Sequence, residues 1–319
     1  MSAVSVAPLS ADTLRALVAQ GMPLRDLALA GGDYRNIDFQ GARFERVDAR
    51  GALFCGAILS ASQWRSCQLS GTDFSGCTFD SVLLADCVLA LAKFTGTHLR
   101  GGRWLRIHSA SVDFGGATLH DVNFIDTVLD GLNLEGVQVS QCQWQGCSFR
   151  DLQARAVHWQ HARMTQCQFD HPDFAQATLD QCAFDESTFV AGVFDAADTM
   201  ATSFYRCQGQ GMSFVQAQLA QALFTHAQFP SADFTGASLD RANLNSADLT
   251  GSLFNGASLQ YAQCQALKAS RASFVAVNLN GTDFHAAELN DCDWRSTDRE
   301  SIRPQDSERL AAQRWQPTF

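Results

Sequence analysis

The chain has 319 residues, of which 46% are hydrophobic and 18% charged, and its formal net charge is −10. That balance argues against a strongly basic nucleic-acid binder, and no apolar run approaches the length of a membrane span. The amino terminus has neither the basic start nor the apolar core of a secretory signal, so a cytoplasmic protein is expected.

Residues 1–33 read as a capping segment. Ser10 is placed to N-cap a helix over 11–20, with Leu14, Leu17 and Val18 on one face and Gly21 in the C′ position. Leu24, Leu27 and Leu29 already fit the period of the region that follows. A short helix and an irregular first coil would cover sheet edges that otherwise invite end-to-end association.

From Tyr34 to Trp294 a five-residue period runs without a slip, which fits neither a helix nor a flat strand. Its plainest copies are Ala232-Asp233-Phe234-Thr235-Gly236, Ala237-Ser238-Leu239-Asp240-Arg241 and Ala247-Asp248-Leu249-Thr250-Gly251. Taking the large apolar residue as the centre gives 53 centres, and 46 of them are Phe, Leu, Trp, Tyr, Met or Val. The exceptions are Ala49, Ser109, Ala154, Thr199, Gly209, Cys264 and Ala269. Two residues before each centre lies a second inward position, usually Ala, Gly, Ser, Thr or Cys. Neither class ever holds a charged residue, His, Asn or Gln, as a continuous dry core requires. Every fourth centre repeats its type: Phe54, Phe74, Phe94 and Phe114, resuming as Phe174 through Phe274, while a neighbouring series holds Leu99, Leu119, Leu179, Leu219 and Leu239. The sequence therefore also carries a 20-residue period.

This pattern resembles the pentapeptide-repeat family, whose consensus is Ala-(Asp/Asn)-Leu-x-x. The resemblance implies an all-β solenoid, a right-handed quadrilateral parallel β-helix of about 13 coils with short helical caps at both ends. We read a single repeat domain over 34–294, since a solenoid lengthens without enlarging one core. Undersized centres look compensated: Ala49, Ala154 and Ala269 follow Val47, Leu152 and Leu267. Pro172 and Pro230 are expected at corners, where an amide has no ladder partner.

Eleven cysteines invite a disulfide or metal reading. Nine of them, including Cys67, Cys87, Cys147 and Cys167, occupy the small inward position. Stacked pairs would run about 4.8 Å apart, wider than the roughly 3.8 Å Cβ separation of a disulfide, so buried free thiols and no metal are expected. All eight histidines fall in outward classes, and His158 and His161 flanking Trp159 have no nucleophile beside them. No insertion breaks the register to build a pocket, and we expect no enzyme activity and no cofactor.

Residues 1–163 are nearly neutral, whereas 164–298 carry five basic and fifteen acidic residues. The densest run is Asp170, Asp173, Asp180, Asp185, Glu186, Asp195 and Asp198, which we take as a candidate acidic patch for a protein partner with a basic surface. Asp180, Asp185 and Asp195 follow their centres and are read as projecting outward. The tail, 295–319, leaves the phase; Leu310 and Trp315 are its apolar residues. By resemblance it is a helical segment that either caps the solenoid or pairs two chains into a homodimer. Gln20 to Leu27 followed by Cys-rich repeats is similar to members associated with bacterial type VI secretion, which implies a bacterial adaptor or effector-loading scaffold. The alternative the family implies is duplex-DNA mimicry directed at a type II topoisomerase such as gyrase. B-DNA carries a charge per about 1.7 Å, so the acidic half would need roughly 19 charges to match it and has a net of ten. Direct contact with nucleic acid or membrane is not expected.

Overall fold

From Gly21 to Ser296 every fifth residue has a positive φ, 18 of them glycines and 38 of them not. From Asp26 onward each is the second residue after a centre, and there the backbone turns a corner. The 38 include no Val, Ile or Thr, the side chains least compatible with the left-handed region. Four such corners close a coil, because pairing throughout is parallel and joins residues 20 apart.

The structure, a computed structural model, describes residues 7–303 together with Glu308. The chain forms two compact units, Met1–Gln168 and Phe169–Phe319. In the first, one side is an eight-stranded parallel sheet: Leu24–Arg25 (β1), Arg43–Glu45 (β2), Gln63–Arg65 (β3), Leu83–Ala85 (β4), Arg103–Leu105 (β5), Asn123–Ile125 (β6), Gln143–Gln145 (β7) and Arg163–Thr165 (β8). Two further sides carry shorter runs of three-residue strands, and the side centred on Phe54, Phe74, Phe94 and Phe114 is joined by single bridges. In the second unit most rungs are single bridges, for example Asp173↔Val193, Val193↔Ser213 and Ser213↔Asp233.

Inside, like residues stack. Phe54, Phe74, Phe94 and Phe114 lie 5.2–5.5 Å apart centroid to centroid, and Phe194, Phe214, Phe234, Phe254 and Phe274 lie 4.9–5.2 Å apart with nearly parallel rings in the last three steps. The weak centres are filled or bonded. Ala49 with Val47, Ala154 with Leu152 and Ala269 with Leu267 are fully buried pairs. Ser109 Oγ donates to the Val128 carbonyl (2.7 Å) and Thr199 Oγ1 to the Gln218 carbonyl (3.1 Å). At Gly209 the missing side chain is replaced by Phe229 and Met212, each within 2.9 Å of where a Cβ would stand.

The backbone also explains the consensus Asp or Asn. A centre, the residue before it and the corner residue all bond to neighbouring coils: Phe54 N–H to the Asp73 carbonyl, Leu53 N–H to Gly32, Gly56 N–H to Ser75. At a single-bridge rung the amide after the centre has no such partner, and an Asp or Asn before the centre accepts from it. Asp73 does so for Ser75 (2.9 Å), Asp233 for Thr235 (2.8 Å) and Asn243 for Asn245 (3.1 Å). Pro230 occupies this off-ladder position in a turn, whereas Pro172, expected at a corner, fills the buried inward position that follows the corner at His171, its carbonyl accepting from Val193 N–H.

Helix α1, Ala11–Ala19, ends one residue earlier than expected. Ser10 caps it by accepting from Thr13 N–H (3.2 Å), Gly21 closes it by donating to the Val18 carbonyl, and Leu14 is its buried anchor. Leu9 N–H extends the ladder onto the Ala28 carbonyl, and Tyr34 Oη donates back to the Leu9 carbonyl at 2.8 Å. The expected C-terminal helix, with Leu310 and Trp315, lies outside the described residues.

Candidate functional site

A run of acids in sequence is not a patch on this fold. Asp173 and Asp195 lie on one side of the second unit, Asp180 and Asp198 on the next, Asp185 and Glu186 on the third and Asp170 on the fourth, because each step of five residues turns a corner. The expectation of one acidic surface is corrected accordingly.

Nor do the seven carboxylates have one role. Asp173 and Asp198 cap the amides of Ala175 (2.9 Å) and Met200 (3.2 Å). Asp170 lies 2.7 Å from His171 Nδ1. Asp185 and Asp195, expected to project outward, are half-buried brackets between coils. Asp185 accepts from the Ser203 hydroxyl, and Asp195 accepts from Ser213 Oγ (2.5 Å) and from Val215 N–H (3.0 Å). Asp240 and Asn255 repeat the motif with Ser258 and Ser273, so it belongs to the repeat. A carboxylate after the centre can thus reach the off-ladder amide of the next coil.

Asp180, Glu186 and, despite its cap, Asp198 are exposed. The register that pairs Thr178 with Asp198 sets Asp180 beside Met200, which is 51% exposed. Two acids therefore flank an exposed thioether on one side of the second unit. The sequence signal for this group was a spacing of 20, which the run of acids obscured.

All eleven cysteines are free thiols, nine buried and Cys55 and Cys292 half-buried. Burial pushes Cys77 and Cys142 up to about 12, and their sulfurs face backbone carbonyls or the dry core. Cys87 and Cys167 are raised too, first by the side chains of Cys67 and Cys147 and then by burial. Such thiols are poor nucleophiles and poor ligands. Among the described residues no group of three His, Cys, Asp or Glu side chains could hold a metal ion. A surface groove of about 440 Å³ is lined by Gln138, Ser140, His158 and Gln160 among others. Ser140 Oγ lies 2.8 Å from His120 Nδ1, but among the described residues no carboxylate bonds to that ring to complete a nucleophilic triad. No described helix is long and apolar enough to cross a membrane.

The geometry defines a parallel β-solenoid of five-residue repeats. Two family models match it: the pentapeptide repeat region over residues 177–254, and pentapeptide repeats (8 copies) over 24–60, 65–102, 110–143 and 257–293. The chain belongs to the pentapeptide-repeat family. No curated protein matches it. Among solved structures it is similar to HetL, a pentapeptide repeat protein involved in heterocyst differentiation regulation from the cyanobacterium Nostoc sp. Strain PCC 7120, at 17% identity over 84% of this chain and 90% of that one, TM-score 0.25. It is also similar to full-length QnrB1, a plasmid-mediated fluoroquinolone resistance protein, at 14% identity over 88% and 97%, TM-score 0.25. At such values nothing about partners or activity passes from those proteins to this chain.

Proposed function

We propose that the chain is a non-catalytic protein-binding scaffold that presents Asp180, Asp198 and Met200 to a partner with a basic surface. One observation carries this reading: an exposed apolar side chain flanked by acids, on a backbone whose inward and ladder groups are already committed. A rigid rung surface loses little conformational freedom on binding, and flanking charge speeds encounter at low salt. A bacterial cytoplasmic adaptor, as in type VI effector loading, is the setting in which such a surface would serve.

The test is an affinity capture from the native host with the parent and an Asp180→Asn/Asp198→Asn/Met200→Gln variant as baits, followed by association kinetics across salt concentrations. We expect the captured protein to associate more slowly with the variant and to lose its salt dependence. Equal rates would sink the proposal. One observation favours topoisomerase-directed DNA mimicry as a second reading, since the acids surround all four sides of the second unit as phosphates surround a duplex. Inhibition of a purified type II topoisomerase by the parent would promote it.

A further inference from the structure

The eight-stranded side of the first unit holds a second charged surface of opposite sign. Arg25, Arg46 and Arg106 on it are held by Glu45, Asp26 and Asp86 at 2.7–2.8 Å. Arg43 (β2), Arg103 (β5) and Arg163 (β8) are exposed and have no carboxylate partner among the described residues, while the exposed Arg65 (β3) lies within the field of Asp86. Arg43, Arg103 and Arg163 share one register column, in which Arg43 pairs Gln63, Gln63 pairs Leu83, Leu83 pairs Arg103, and the sequence continues through Asn123 and Gln143 to Arg163. Two strands lie between each and the next, three strand spacings or roughly 14 Å. Between them Leu83, Leu105 and Ile125 form a half-buried apolar centre.

We infer that this sheet face is a second protein-binding surface, fitted to a partner that is acidic around an apolar centre. Unpaired arginines supply the charge complement in a chain that is acidic as a whole. The apolar centre distinguishes a protein from a nucleic acid, because protein interfaces combine an apolar core with arginine. A phosphate-tracking surface would place further cations where Leu105 and Ile125 stand. The inference uses a different unit and different residues from the function proposed above, and either can fail alone.

The test measures fluorescence anisotropy of two labelled probes, a short peptide with glutamates flanking a pair of leucines and a mixed-sequence DNA duplex, on the full chain at low salt. Two variants carry the same charge change: Arg103→Glu/Arg163→Glu on the face, and Lys93→Glu/Arg100→Glu on other sides of the same unit. We expect the parent to bind the peptide in preference to the duplex, the face variant to weaken the peptide by about tenfold or more, and the other variant to stay within about twofold. Circular dichroism and thermal unfolding establish that both variants are folded. Failure of the parent to bind the peptide, equal affinity of parent and face variant, or preference for the duplex would overturn it.

Discussion

At the scale of single residues the strictest constraint sits two positions after each centre. A left-handed backbone costs little for glycine and on the order of 1–3 kcal/mol for a strained residue with a full side chain. Ala201 (φ 56) and Leu91 (φ 60) both occupy that position, and Leu91 is 65% exposed. Ala201→Val should destabilise the protein by about 1–2 kcal/mol, and Leu91→Gly should stabilise it by up to about 1 kcal/mol. Chemical denaturation curves of the two variants check both signs. Gly281 is constrained twice, since a Cβ there would stand 2.6 Å from the Tyr261 ring.

At the scale of the element the stacked ladder carries the packing. Phe194 lies between Phe174 (5.0 Å) and Phe214 (5.2 Å) and meets Phe184 and Phe204 edge-on. Phe194→Ala should cost about 3–5 kcal/mol, read from the denaturation midpoint. The small inward ladder has its own signature in pH. A thiol released by unfolding ionises near 9, whereas Cys77 and Cys142 in the fold keep their protons to about 12. Between those values the unfolded chain binds fewer protons, so the contribution is full below pH 9 and is lost as pH rises toward 12. Stability measured from pH 8 to 11 should fall, and the slope should flatten in Cys77→Ala/Cys142→Ala. An unchanged slope would show that these thiols ionise freely in the fold.

At the scale of the whole molecule, inward and outward residues differ in how far they can be read from sequence. The core was legible because each inward position obeys a local rule, large or small and never charged, which holds wherever the coil happens to face. Even the exceptions announced their compensation, as at Ala154 with Leu152. The surface was not legible by the same route. Neighbours in sequence, such as Asp180 and Asp185, are sent to different sides, while Asp180 and Met200 become neighbours across a coil. The brackets formed by Asp185 and Asp195 were missed because only geometry shows that a carboxylate there reaches the next coil's amide. Thiol chemistry offers a test over the complete chain. In the native state Cys55 and Cys292 should react with a thiol reagent ahead of the nine buried cysteines, and all eleven should react after unfolding.

The corner at every fifth residue also bears on how a gene for such a chain can be edited. Removing five codons between Arg43 and Arg103 would leave each core rule intact, yet carry every later column of that unit to the adjacent side, so that Arg103 and Arg163 would part from Arg43. Removing twenty codons would instead restore each column to its own side, one rung shorter. Among deletions that respect the core, the reading frame of the surface is therefore four times as long as that of the interior.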